Sequence, residues 1–275
     1  MILVADSGST KTAWGLIEGS RHRIVHTEGL NPKLAGDEAF GHAIGQLGIT
    51  RCEQVRFYGA GCGSPQAQEQ VRGLLRRYLD CADIVVEGDL MGACRATLGC
   101  RSGLVGILGT GSNACRYDGG HIAQQVTSTG YLLGDEGSGN HIGKRLLKEY
   151  LVRRMPQRLC EEFRRQFPLS DNEWIVKLYG APYPNRFLAT LVPFAARHRD
   201  DPFVRQLLAE VFDQYFREMI LPLNPNDSET LCLVGGVAYE FQTEIAQAAS
   251  LHSVSVATIT SSIIEALIAN ANSAK

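Results

Sequence analysis

Apolar and polar positions follow one grammar in the first hundred residues and then repeat it. An apolar run, Ile2 to Asp6, leads into a Gly/Ser/Thr turn (Ser7-Gly8-Ser9-Thr10-Lys11-Thr12), a second run from Ala13 to Ile17, a Gly19-Ser20 turn and a third run from Arg23 to Thr27. That spacing predicts a three-stranded antiparallel meander. The pattern returns at Leu104 to Leu108, Gly109-Thr110-Gly111-Ser112-Asn113, Ala114 to Tyr117, Gly119-Gly120 and Ile122 to Val126. After the first meander the period predicts helical material, a strand at Val55 to Tyr58, a helix at Pro65 to Leu79, a strand at Asp83 to Val86 and a helix at Asp89 to Leu98. After the second it predicts a strand at Leu231 to Val234, a helix at Tyr239 to Ser250, a strand at Val254 to Ala257 and a helix at Ser261 to Ala271.

Both halves therefore read βββαβαβα. Internal duplication of this kind decides the fold class before any motif does. The expectation is an α/β protein of two lobes, residues 1–100 and 101–275, with an interdomain cleft where a ligand would bind. The second lobe carries a helical insertion at about 139–222, which Pro182 and Pro184 divide into separate helices. Small residues at Gly92 and Ala96, matched by Ser262 and Ala266, suggest two closely approaching helices that could act as a hinge.

Of the 275 residues 44% are hydrophobic and 20% charged, which excludes disordered and fibrous classes. Lys and Arg number 27 against 29 Asp and Glu, so no overall field draws the chain to nucleic acid or to an anionic membrane. The Arg-rich run from Arg145 to Arg165 is interleaved with Glu149, Glu161 and Glu162 and reads as a solvated helix face. No stretch approaches the ~18 apolar residues of a membrane span, and an acid at position 6 argues against a secretory signal, so the expected location is cytoplasmic. The 8 cysteines form no C-x-x-C pair and the 7 histidines show no ligand spacing. The cysteines are read as reduced thiols, mostly small core fillers, and the histidines are given no metal role.

Glycine, at 29 residues, is the one compositional excess. A Gly/Ser/Thr turn between antiparallel strands aims several backbone N–H groups into one space, and glycine permits positive φ and close approach of an anion. One such turn alone is an ordinary hairpin. Two at equivalent places in duplicated units suit a polyphosphate gripped from both sides. The motif is not a P-loop, because a strand and not a helix follows it. A third site, Gly235-Gly236 between strand and helix, would let a flat group lie against the backbone.

The set DSGSTKT, GTGSN and Gly235-Gly236 resembles the phosphate-1, phosphate-2 and adenosine motifs of the acetate kinase, sugar kinase, Hsp70 and actin superfamily. GTGSN followed by GYLLGDEGSG (130–139) resembles, more narrowly, the BadF/BadG/BcrA/BcrD-type ATPase family and its N-acetylglucosamine kinase-like members. The resemblance implies two ribonuclease H-like, actin-like ATPase domains and the cofactors ATP and Mg²⁺. It implies ATP phosphate binding by Gly8, Ser9, Thr10, Lys11, Gly109, Thr110, Gly111 and Ser112, and adenosine binding by Gly235 and Gly236.

Phosphoryl transfer to an alcohol asks for a carboxylate to accept the hydroxyl proton. Asp89, after an apolar strand and at a helix start, is the candidate base; its other reading is a plain N-cap. Related kinases often carry Asn-Asp where this chain has Gly88-Asp89. Asp6 could orient Mg²⁺ through water or simply cap its turn. Asn31, Asn113 and Asp135 are, by resemblance, the partners of sugar hydroxyls, although Asn and Asp beside Pro or Gly also punctuate loops.

The leading expectation is an ATP-dependent kinase of the 6-hydroxyl of N-acetylglucosamine or a related amino sugar. Its partner would be a small-molecule sugar, with no nucleic acid and no membrane, and a homodimer is compatible with the sequence. The alternatives are a BadF-type ATPase without sugar kinase activity and a catalytically silent nucleotide or sugar sensor. Iron–sulfur activators in the same family carry a Cys-Ala-Ala-Gly-Thr-Gly segment where this chain has the cysteine-free 134–139.

Overall fold

The computed structural model describes residues 1–226 and 229–273. Its first sheet has the order β3-β2-β1-β4-β5, built from β1 (Ile2–Ser7), β2 (Lys11–Glu18), β3 (Arg21–Glu28), β4 (Gln54–Gly59) and β5 (Asp83–Gly88). β1 is central and buried along Ile2 to Ala5, as a strand covered on both faces must be. It runs parallel to β4 and antiparallel to β2. β3 is an edge strand that opens on exposed Arg21, His22 and Arg23, which discourages pairing with another chain. Trp14 is fully buried, 5.9 Å from Phe57, and its indole N–H donates to Thr27 Oγ1 at 3.0 Å.

Three helices complete this motif: α1 (Asp37–Gly45), α2 (Pro65–Tyr78) and α3 (Asp89–Leu98). Pro65 opens α2 where a missing N–H is harmless, and Ser64 caps it by accepting from the Ala67 amide at 3.2 Å. The register sets Ser7 beside Gly59 and Gly59 beside Gly88, so three parallel strands end level with one another.

The second sheet has the order β10-β9-β6-β7-β8, from β6 (Gly103–Leu108), β7 (Ser112–Tyr117), β8 (Ile122–Gln125), β9 (Thr230–Val234) and β10 (Ser255–Thr260). Counted from its own first strand, this is the strand order of the first sheet. The expected duplication is thus present in the topology.

Between β8 and β9 lie α4 (Gly130–Leu133), α5 (Gly139–Leu151), α6 (Gln157–Gln166), α7 (Asp171–Gly180), α8 (Pro184–Ala189), α9 (Val192–Arg197) and α10 (Pro202–Tyr215), ending in a π-helical turn at Phe216–Ile220. The break between α7 and α8 falls at Pro182 and Pro184, as expected. Phe163 holds the insertion together through Tyr150, Phe167 and Phe194, with ring centroids 4.7, 4.9 and 5.0 Å away. The helix expected at Tyr239 to Ser250 begins earlier and breaks at Phe241 into α11 (Gly236–Glu240) and α12 (Gln242–Leu251).

The contacts divide the chain into two compact units: Met1–Val105 with Arg116–Ala123 and Ser262–Lys275, and Gly106–Cys115 with Gln124–Ser261. The last helix, α13 (Ile264–Ser273), belongs to the first unit and packs on β1, β2 and α3. Its seat is Gly15, where an added Cβ would stand 2.5 Å from Ile268 Cγ1. α3 and the last helix do pack together, as expected, but Gly92 and Ser262 are not the residues that bring them together. Gly92 faces Tyr58 of β4, 2.8 Å from where its Cβ would lie, and Ser262 precedes α13. The two helices are also joined by Asn270 Nδ2 donating to the Arg95 carbonyl at 2.9 Å.

Candidate active site

In the first unit the glycine turn closes when the Gly8 amide donates to the Lys11 carbonyl at 2.9 Å. A relay of hydroxyls locks the next loop onto it. The Leu30 amide donates to Ser7 Oγ at 3.1 Å, Ser7 and Thr12 hydroxyls lie 2.8 Å apart, and Thr12 Oγ1 donates to the Glu28 carbonyl at 2.9 Å. Ser7 and Thr12 are both fully buried. Gly29 must be glycine here, because a Cβ would stand 2.5 Å from the Gly8 carbonyl oxygen.

Asn31 follows this loop and is buried. Its Oδ1 accepts the Lys33 amide at 3.0 Å, an Asx turn, and its Nδ2 donates to Ser9 Oγ at 3.3 Å. The candidate sugar ligand and a candidate phosphate ligand are thus joined directly. Gly61, at φ +84, lets the loop after β4 close over Asn31, whose Oδ1 is 2.3 Å from where a Cβ would be. Thr10 and Lys11 are exposed.

Asp6 and Asp89 stand at the carboxyl ends of β1 and β5, two strands apart across β4. Burial, then the charge of Asp89, raises the Asp6 carboxyl to about 6, while Lys11 pulls it down. Burial likewise raises Asp89, against the pull of the Leu90 amide. Asp89 is not the N-cap of α3. Gly88 holds that place without a side-chain bond, and Asp89 is the first helical residue, its Oδ1 accepting from Leu90 N–H at 2.9 Å. A Cβ on Gly88 would meet nothing closer than 3.8 Å, so the departure from Asn-Asp is not forced by packing.

In the second unit the turn Gly109-Thr110-Gly111 is held from α5. The amides of Gly139 and Asn140 donate to the carbonyls of Gly109 and Thr110 at 2.8 and 3.0 Å. Gly109 N–H donates to the Gly111 carbonyl at 2.9 Å, and Ser112 N–H to Asp135 Oδ1 at 3.3 Å. With Gly8 these make three amides, read from sequence as phosphate donors, that are engaged inside the protein. Nor do Gly8, Gly109 and Gly111 adopt positive φ. The left-handed residue here is Asp135, at φ +63, lying against Gly111 with a carboxyl that burial raises.

Asn113 turns its Oδ1 to the Ala114 amide at 3.0 Å and to Gln125 Nε2 at 3.2 Å. Gly235, at φ +125, comes so near β6 that a Cβ would stand 2.2 Å from the Leu108 carbonyl oxygen. Gly236 faces open space. The close approach at Gly235 is thus to the protein's own backbone, and of the pair it is Gly236 that has open space beside it.

Sequence reasoning assigned no role to the polar layer beneath this turn. Ser138, Asn140 and His141 are buried. Ser138 caps α5 through the His141 amide at 3.2 Å. His141 Nδ1 accepts from Gly137 N–H at 3.1 Å, which fixes the Nε2–H tautomer, and burial lowers its pKa to about 4. Among the described residues Asn140 Oδ1, an acceptor, and Ser112 Oγ, which can donate or accept, are buried without a partner. A helix-start serine at 138 is the sequence signal that could have pointed to this layer.

No family model and no curated protein matches the chain. Solved structures do. A protein of Porphyromonas gingivalis with a proposed N-acetylglucosamine kinase assignment is 34% identical, with 99% of each chain covered and a TM-score of 0.87. A Chromobacterium violaceum protein with the same proposed assignment is 18% identical, covering 98% and 97%, at 0.74. A ROK family glucokinase from Streptomyces griseus, solved with glucose and AMPPNP, is 16% identical, covering 99% and 98%, at 0.57. The last two share the fold. The duplicated sheets and these likenesses show the two-domain actin-like fold, and the chain belongs to the family of the Porphyromonas gingivalis protein.

Proposed function

We propose that this protein is an ATP-dependent sugar kinase acting on the 6-hydroxyl of N-acetylglucosamine or a related amino sugar. The observation that carries the reading is the 34% identity, over 99% of both chains, to the Porphyromonas gingivalis protein of that proposed assignment. Asp89, Asn31 and the glycine pair take roles in this reading. Asp89 is the base that takes the hydroxyl proton, a role worth roughly 10²- to 10⁴-fold. Its raised pKa strengthens it as a proton acceptor. Asn31 orients the acceptor and, through Ser9, fixes it to the first turn. Gly235 and Gly236 accommodate the adenosine.

Among the described residues no group of three or more His, Cys, Asp or Glu side chains could hold a metal. Asp6 alone, acting through water, suits Mg²⁺, which keeps several waters and completes its shell with phosphate oxygens. When bound, the ion neutralises charge on the transferring phosphate. Asp6, with an elevated pKa, gains most from a cation nearby.

The test is an ATP-consumption screen over amino sugars, hexoses and muramic sugars, repeated with Asp89→Asn. An amino sugar should raise turnover well above the ATPase background and the variant should abolish that gain. If no sugar raises turnover, the kinase reading fails; if the variant keeps wild-type turnover, the base assignment fails.

A further inference from the structure

We propose that Cys52 and Cys81 are a thiol–disulfide pair, closed by a low-molecular-weight disulfide and reopened by thiol reductants. The site lies at the amino-terminal ends of β4 and β5, the end of the sheet away from Asp6 and Asp89. There Arg51 and Asp80 form a parallel bridge, supported by Cys52 N–H donating to the Asp80 carbonyl at 3.2 Å and Asp80 N–H to Thr50 at 2.8 Å. In parallel strands the next residues along are also opposite one another, with their side chains on the same face. Arg51 and Asp80 form an ion pair at 3.5 Å on one face, and the register sets the two thiols opposite one another on the other. Neighbouring strands are about 5 Å apart, inside the Cα separation that a disulfide spans.

The two thiols differ. Cys52 is buried in the core of the first unit, and its pKa is raised by burial and by Cys81. Cys81 is half-buried, with its Sγ 3.4 Å from the Asp83 carbonyl. A surface pocket of about 400 Å³, lined by Met1, Arg51, Cys52, Glu53, Asp80 and Ala82, gives a small reagent room to approach. That pocket reaches the pair from the Cys52 side; Cys81, the more exposed of the two thiols, is the attacking group. It loses its proton and attacks one sulfur of the reagent; the reagent's S–S bond breaks and one thiolate leaves and takes a proton. Cys52 then gives up its proton, attacks Cys81 Sγ and expels the second thiolate. Two protein thiols are oxidised, one reagent disulfide is reduced to two thiols, and the protein S–S bond is formed.

The test uses the full chain in a Cys100→Ser background, since Cys100 is exposed. With oxidised glutathione, two free thiols should disappear, the intact mass should fall by about 2 Da, peptide mapping should join Cys52 to Cys81, and dithiothreitol should reverse all three. Cys52→Ser should stop at one glutathione on Cys81, and Cys81→Ser should not react at position 52. Retention of all thiols, a persistent glutathione adduct in the parent protein, or a bridge between other cysteines would overturn the proposal. Failure of the sugar screen leaves it untouched, because the pair does not depend on the kinase reading.

Discussion

Asp89 stands two strands from Asp6 across the carboxyl end of the first sheet, and its charge adds to burial, the larger cause, in raising the pKa of Asp6. Asp6 titrates at about 6 in the fold against an ordinary 3.8. Between those values the native chain holds a proton that the unfolded chain has lost, so this group's contribution to stability falls as pH rises and stays low above that range. Asp6→Asn should be more stable than wild type at neutral pH without nucleotide and equal to it near pH 4. Urea midpoints across that range check the sign; a larger advantage at low pH would contradict it.

Gly235 and Gly236 should behave differently. A Cβ at 235 meets the Leu108 carbonyl and the backbone there is at φ +125, so Gly235→Ala should lose about 1 to 3 kcal/mol or more. Gly236→Ala enters open space and should leave the melting temperature nearly unchanged while weakening AMPPNP binding. Calorimetric melts and titrations separate the two.

Thr12→Val keeps the shape of a buried side chain and removes the middle of the hydroxyl relay from Leu30 to Glu28. Ser7 Oγ and the Glu28 carbonyl lose a partner, a loss of about 1 to 3 kcal/mol. Because the relay anchors the loop carrying Asn31, KM for the sugar should rise more than kcat falls.

His141 accepts a hydrogen bond at Nδ1 and titrates at about 4, below its ordinary 6.5. Its contribution is complete above 6.5 and is lost as pH falls toward 4. Asn places an acceptor near the same position and cannot be protonated. His141→Asn should therefore flatten the acid side of the stability profile, as read by denaturant midpoints from pH 7 to pH 4.

The sheets were legible because their strands pack on local pattern: Ile2 to Ala5 are apolar without interruption in a strand buried on both faces, and β2 and β3 are bounded by glycine turns. The topology followed from the repeat. What holds the second turn was not legible, because the Gly139 and Asn140 amides come from a helix some thirty residues on, and backbone donors leave no trace in side-chain identity. Asp135 was found as a motif member, but its left-handed backbone and its bond to Ser112 depend on tertiary context. Gly92 misled because small residues at helical spacing mark close approach without naming the partner, which is Tyr58.

The placement of α13 sets the order in which the chain can fold during synthesis. Ile268 fills the space above Gly15, so the first unit lacks part of its core until residues beyond 264 have been made. Domains usually fold as they emerge, the amino-terminal one first. Here β1 and β2 wait for α13, a segment far later in the chain, before the core beside Gly15 is complete.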